Sequence, residues 1–190
     1  VRLIRTESIG PQTFKTLLQV FGSIEKALEA VPDVSRRGGR KSPIKVLDRD
    51  IAEKEIANTL KFGAKFITIA DSAYPKLLKS LQDPPPVLIV YGNEAVWKKP
   101  AVALVGARNA SANGCKFAGI LASQLGGYDV VTVSGLARGV DTEVHKASLK
   151  DGTIAVVAGG IDRIYPPENA DLFHQIPKRG GAVITEMSFG

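Results

Sequence analysis

Apolar positions in the first third of the chain recur at helical spacing, and beyond it they gather into short continuous runs. Phe14, Leu17, Leu18 and Val20 precede Phe21-Gly22-Ser23, and Ile24, Ala27, Leu28 and Val31 follow it. That spacing predicts two helices joined as an αα-hairpin. Gly10-Pro11 suits the first turn, Gly22 ends the first helix and Ser23 caps the second. Residues 32–45, with Arg36-Arg37-Gly38-Gly39-Arg40-Lys41-Ser42 at their centre, read as a basic loop or linker. Gly39-Arg40-Lys41-Ser42 imitates the end of a phosphate-binding loop, but the earlier glycine and the preceding strand are missing. A helix is expected from Asp50 to Phe62, with Ile51, Ile56, Ala57 and Leu60 as its apolar stripe and Gly63 as its stop.

Two runs, Phe66–Ile69 and Val87–Val90, read as strands, separated by Tyr74-Pro75 and Asp83-Pro84-Pro85-Pro86. A repeating unit follows. Strands are expected at Ala101–Val105, Val130–Val133, Thr153–Val157 and Ala182–Thr185. Helices are expected at Ala112–Leu125, Thr142–Leu149 and Asn169–Ile176. Continuous rather than alternating apolar strands imply burial on both faces, hence a parallel α/β sheet. The expected division is a helical domain with its basic linker over residues 1–60 and an α/β domain over residues 61–190.

The chain has 190 residues, 44% of them apolar, which suffices for one ordinary core and a small satellite domain. Lys and Arg outnumber Asp and Glu by 25 to 19, a formal +6, so an anionic partner is favoured. One cysteine, Cys115, excludes an internal disulfide framework, and two distant histidines, His145 and His174, leave little for a metal. With that single cysteine a reducing cytoplasm is the expected setting; no apolar run approaches the ~18 residues of a membrane span, so no membrane embedding is expected, and no cofactor is expected either. The chain begins at Val1 and its one methionine is Met187, so it reads as a piece of a longer protein.

Strands of a parallel sheet end on one edge, which brings the three loops after them to a common crevice. From the first loop, Gly106, Ala107 and Arg108 are candidate contacts; from the second, Ser134, Gly135, Arg138 and Gly139; from the third, Gly160 and Arg163. Glycines permit sharp turns, and the helix N-termini that follow offer unpaired N–H groups and a positive dipole, which attract phosphate. Arg108, Arg138 and Arg163 place one guanidinium in each loop. A dinucleotide site is disfavoured, because Arg108 and Ser111 stand where its second and third glycines would be, and no acidic ribose ligand follows Val133-Ser134-Gly135. Asp141 reads as the N-cap of a helix beginning at Thr142, with His145 as ordinary helix polarity. Ser111 and Ser134 lack a nearby base, and Cys115 reads as a small buried residue, so no catalytic set emerges. Tyr165-Pro166-Pro167-Glu168-Asn169 offers either an aromatic face to a base or plain turn punctuation.

The three loops together resemble the DprA (Smf) family of DNA-processing proteins. The stretches that carry the resemblance are Tyr74-Pro75, Asp83-Pro84-Pro85-Pro86-Val87-Leu88, Val105-Gly106-Ala107-Arg108, Val133 to Thr142 with His145, and Gly159-Gly160-Ile161-Asp162 with Tyr165-Pro166 and Asn169. The hairpin's Ile9-Gly10-Pro11 turn is similar to helix-hairpin-helix and SAM-like domains, whose amides can hold a DNA phosphate. The resemblance implies a SAM-like helical domain before a Rossmann-like domain that binds single-stranded DNA. It further implies protection of incoming DNA, RecA loading in natural transformation, and a homodimer in the full-length protein. By motif, it assigns Arg108 and Arg138 to DNA phosphates. The family continues past the point matching Gly190, so the Rossmann-like domain is expected to be incomplete at its C-terminus. The competing reading is a nucleotide-processing enzyme of phosphoribohydrolase type with Glu186 as acid or base, although the Gly-Gly-x-Gly-Thr loop of such enzymes is absent.

Overall fold

The computed structural model describes residues 1–38 and 42–190; Gly39, Arg40 and Lys41, at the centre of the expected linker, lie outside the described residues. The chain divides into two compact units, residues 1–58 with 68–87, and residues 59–67 with 88–190.

The first unit opens with a single helical turn, α1 (Arg2–Arg5), too short for periodicity to reveal. The hairpin follows as α2 (Pro11–Phe21) and α3 (Ile24–Arg37). Gly22 closes α2 in the left-handed region at φ 76°, donating to the Leu18 carbonyl at 2.8 Å, and the Ser23 hydroxyl caps α3 by accepting from Lys26 N at 3.2 Å. Leu3, Ile9, Phe14, Leu17, Ala27 and Val31 form this unit's core.

The expected linker is corrected in its first part: residues 32–37 are helical, with Pro32 inside α3. Packing overrides the proline here. Val31 and Ser35 are buried, and Ser35 Oγ donates to the Pro32 carbonyl at 2.7 Å while accepting from Ile44 N at 2.9 Å. The stripe expected on α4 (Arg49–Phe62) is also corrected, since Ile51 and Leu60 are 52% and 58% exposed and the buried positions are Ala52, Glu55 and Thr59. An ion pair sets that face: Arg5 Nε lies 3.0 Å from Glu55 Oε1 with both side chains largely covered.

Residues 68–87, expected within the α/β domain, group with the helical unit instead. They form a closed loop around α5 (Lys76–Lys79), pinned where Ile69 N donates to the Pro86 carbonyl at 3.0 Å and the Tyr74 hydroxyl donates to the Pro85 carbonyl at 2.7 Å. Hydrogen bonds from Thr68 hold the Asp71 carboxyl below its ordinary value.

The second unit is built on a six-stranded sheet: β1 (Lys65–Thr68), β2 (Val87–Gly92), β3 (Ala101–Ala103), β4 (Val131–Ser134), β5 (Thr153–Val156) and β6 (Ala182–Thr185), in the order β1-β2-β6-β5-β4-β3. Strands β3, β4, β5 and β6 run parallel, so the loops after β3, β4 and β5 leave one edge. The sheet is mixed rather than wholly parallel, because β2 pairs antiparallel with β6, Ile89 facing Thr185. Three helices connect the parallel strands: α6 (Ala112–Gly127), α7 (Val140–Ser148) and α8 (Ala170–Lys178). Ile154 and Ala155 are adjacent on β5 and both buried, so both faces of the sheet centre are covered. Burial on both faces fails at the edge strand β3, which is exposed throughout. The main core joins Ile89, Leu136, Ala155, Ile161, Phe173, Ile176 and Val183, with Tyr91 stacked on Phe173 at 5.8 Å between ring centres. A smaller cluster of Ala118, Ala122 and Val144 seats α6 against α7. The architecture is thus a Rossmann-like α/β domain preceded by a helical one. Among the described residues, no helix is long and apolar enough to cross a membrane.

Candidate functional site

Two of the three loops interlock through absent side chains. A Cβ on Gly139, whose φ is +74°, would lie 2.3 Å from the Ala107 carbonyl oxygen and 2.6 Å from that of Arg108. Reciprocally, a Cβ on Gly106 would lie 2.7 Å from Val140 Cγ2. The first loop therefore rests on the second, and Val140 N donates to the Ala107 carbonyl at 3.3 Å. Each glycine allows a backbone approach that any side chain would block.

The second loop is shaped from beneath by Asp141. The sequence suggests an N-cap there, but α7 begins at Val140 with Gly139 as its N-cap, so Asp141 sits inside the first turn. Its buried carboxylate turns back and accepts from Gly135 N at 3.1 Å and Ala137 N at 3.3 Å. Between those amides Leu136 adopts φ +58°, an uncommon conformation for a non-glycine residue, and is fully buried in the main core. Asn169 completes the support: its amide donates to the Leu136 carbonyl at 2.9 Å and to Thr142 Oγ1 at 2.8 Å, and the Thr142 hydroxyl donates to the Ala137 carbonyl at 2.8 Å. Asn169 is thereby a structural anchor.

On this frame Arg108, Asn109, Ala137, Arg138, Tyr165 and Pro166 line one cleft of about 210 Å³. Arg138 pairs with Glu168 at 2.9 Å, both side chains more than half exposed, so the pair contributes at most about 1 kcal/mol and an incoming anion can displace the carboxylate. Tyr165 is 67% exposed and turns an aromatic face outward. The N-termini of α6 and α7 follow the first two loops, with Ser111 Oγ capping α6 by accepting from Gly114 N at 3.2 Å.

The structure divides the sequence candidates. Gly106, Ala107, Arg108, Gly135 and Arg138 are exposed on the loops, and Gly139 is half-buried. Ser134 and Gly160 are buried. The Ser134 hydroxyl donates to the Leu104 carbonyl at 2.7 Å, and a Cβ on Gly160 would meet the Ser188 carbonyl oxygen at 2.4 Å. Both shape the loops from within. Arg163 lies outside the cleft lining, exposed and 3.6 Å from Asp162. Asn109 was not singled out by the sequence; its signal is only its place beside Arg108.

His145 is fully buried rather than part of a polar helix face, with Nδ1 2.8 Å from Thr153 Oγ1. Burial pushes its imidazole down to about 4, against an upward pull from Asp141 and the Ser134 backbone. The unfolded chain, with His near 6.5, binds that proton more readily, so unfolding gains a proton in this window. The stabilisation from keeping the ring neutral is present above about pH 6.5 and is lost as pH falls toward 4, a span worth about 3 kcal/mol. Urea denaturation between pH 7 and pH 4.5 is expected to show a fall of about that order that His145→Gln does not share. Parallel stability curves would contradict the assignment.

Residues 65–190 match the family described as DNA recombination-mediator protein A, and residues 1–58 match the DprA-like N-terminal HHH domain. The chain is 32% identical to Protein Smf of Synechocystis over 203 aligned positions, covering 98% of this chain and 50% of that protein. It is similar to the X-ray structure of DNA processing protein A from Streptococcus pneumoniae, with TM-score 0.78 and 28% identity over 98% of this chain and 66% of that one. A Helicobacter pylori DNA processing protein A, whose structure concerns a single-stranded DNA binding mode, gives TM-score 0.56 and 29% identity over 64% of this chain and 55% of that one. The chain spans about half the length of the curated relatives it matches.

Proposed function

Since the chain belongs to the family described as DNA recombination-mediator protein A, we propose that its loop crevice binds single-stranded DNA without sequence preference, in the service of DNA processing. The observation that carries this reading is the cleft itself. Two guanidiniums, Arg108 and Arg138, line it together with exposed Tyr165, beside the N-termini of two helices. Arginine heads and backbone amides read phosphates, and an aromatic face accepts any base by stacking. The contact set proposed is Arg108, Arg138 and Tyr165, on a frame formed by Gly106, Ala107, Gly135 and Gly139.

The same geometry supports binding rather than catalysis. The Ser134 hydroxyl is tied to a backbone carbonyl and His145 is sealed from solvent, which leaves neither as a nucleophile or base at the cleft. We infer from kinship, and from the exposed cations, that the whole protein protects incoming DNA in the cytoplasm and assists RecA loading, as a homodimer.

Fluorescence anisotropy with an oligothymidylate tests this. Neutralising about three to five phosphates implies a log–log salt slope of roughly −2 to −4, and duplex of equal length is expected to bind more weakly. A salt-independent affinity, or equal affinity for duplex, would overturn the reading.

A further inference from the structure

The first unit holds a cleft of about 420 Å³ that shares no residue with the proposed DNA cleft, lined by Pro11, Phe14, Leu18, Ile69, Leu81 and Pro86, with Lys15 and Lys79 at its edge. Its walls are apolar and poor in donors. Proline residues 11, 84 and 86 carry no backbone N–H, and Phe14 is only 8% exposed, so no aromatic face is offered to a base. The apolar walls offer a base no stacking face, and the polar side chains of the lining are those of Lys15, Gln19 and Lys79.

The rim has the opposite character. Segments 11–19 and 76–86 supply most of the lining and contain three lysines, Lys15, Lys76 and Lys79, against one acidic residue, Asp83. Lys15 Nζ donates to the Gln82 carbonyl at 3.4 Å, across the mouth, and none of these lysines belongs to an ion pair among the described residues. Leu81 and Leu77 stand 54% and 82% exposed beside them. An apolar trough under ammonium groups that lack a carboxylate partner is complementary to a chain segment in which Leu, Ile or Phe alternates with carboxylates.

We propose that this cleft is a docking site for an acidic, apolar-anchored peptide segment of a partner protein. The apolar side chains enter between α2 and the loop after α5, and the carboxylates meet Lys15, Lys79 and Lys76. The site is separate in its residues from the DNA cleft, so it does not depend on the DNA-binding reading.

A random dodecapeptide library displayed on phage, panned against the full chain, provides the probe. Enriched peptides are expected to combine Asp or Glu with large apolar residues. As synthetic fluorescent peptides they should lose at least about tenfold in affinity when Lys15→Glu and Lys79→Glu are combined, both sites being solvent-facing. Leu81→Asp should weaken them similarly, and peptides with carboxylates exchanged for lysines should prefer the charge-reversed chain. Four results would overturn the proposal: no enrichment, enrichment of neutral or basic peptides, displacement by an oligothymidylate, or concentration-dependent self-association removed by Leu81→Asp. The last would give the cleft to a second copy of the chain.

Discussion

Replacing Arg108 and Arg138 with alanine is expected to abolish most single-stranded DNA affinity while leaving the fold intact. Both side chains line one cleft and neither is needed by the core. Each charge-assisted contact to phosphate is worth about 1.5 to 3 kcal/mol, or roughly 10- to 150-fold in affinity. The two act on one strand of DNA, so the double variant need not equal the sum. Loss of Arg138 also leaves Glu168, its partner at 2.9 Å, as an unopposed anion facing the phosphates. The control is Arg36→Ala with Arg37→Ala, which removes the same formal charge from the last turn of α3. Anisotropy titrations with circular dichroism checks decide the matter. If the control weakens binding as much as the cleft variant, affinity comes from diffuse positive charge and the cleft assignment is wrong.

Gly139→Ala is expected to damage the site through its frame. A single methyl group would meet two backbone oxygens, those of Ala107 and Arg108, at 2.3 and 2.6 Å, and backbone cannot rotate away as a side chain can. Alanine at φ +74° carries its own strain of about 1 to 2 kcal/mol, and relief of the overlap costs a similar amount. A fall in Tm of about 5 to 15 °C follows for a chain of this size. The first loop must also move off the second, so DNA affinity should drop even well below the melting temperature, although no contacting side chain has changed. Unaltered Tm together with unaltered affinity would show that the two loops are not locked in this way.

Most element positions were legible because their signals are local. Gly22 and Ser23 mark the hairpin turn by backbone chemistry that needs no partner, and strand β6 follows from its apolar run. Errors came where a distant residue decided. Helix α4 turns Ala52, Glu55 and Thr59 inward because Arg5, fifty positions earlier, captures Glu55; Ile51 and Leu60 point the other way. Pro32 stays helical because Ser35 and Val31 are packed into a core the local sequence does not announce. Strand β3 reads as fully buried by composition but is an edge, and edges are a property of the sheet order.

By itself the sequence determined the alternation of strands and helices, the glycine loops at strand ends and the arginines they carry, since these depend on short-range propensity and turn chemistry. Only the tertiary structure decided which of those loops meet. It brought Arg108 and Arg138 to one cleft with Tyr165, left Arg163 outside it, and made Asp141 a tether for Gly135 and Ala137 instead of a helix cap. It also buried His145 against Thr153 of β5 and grouped residues 68–87 with the helical unit. The physical reason is common to all of these. Burial and convergence arise from contacts between segments far apart in the chain, and sequence spacing encodes only the contacts a segment makes with itself.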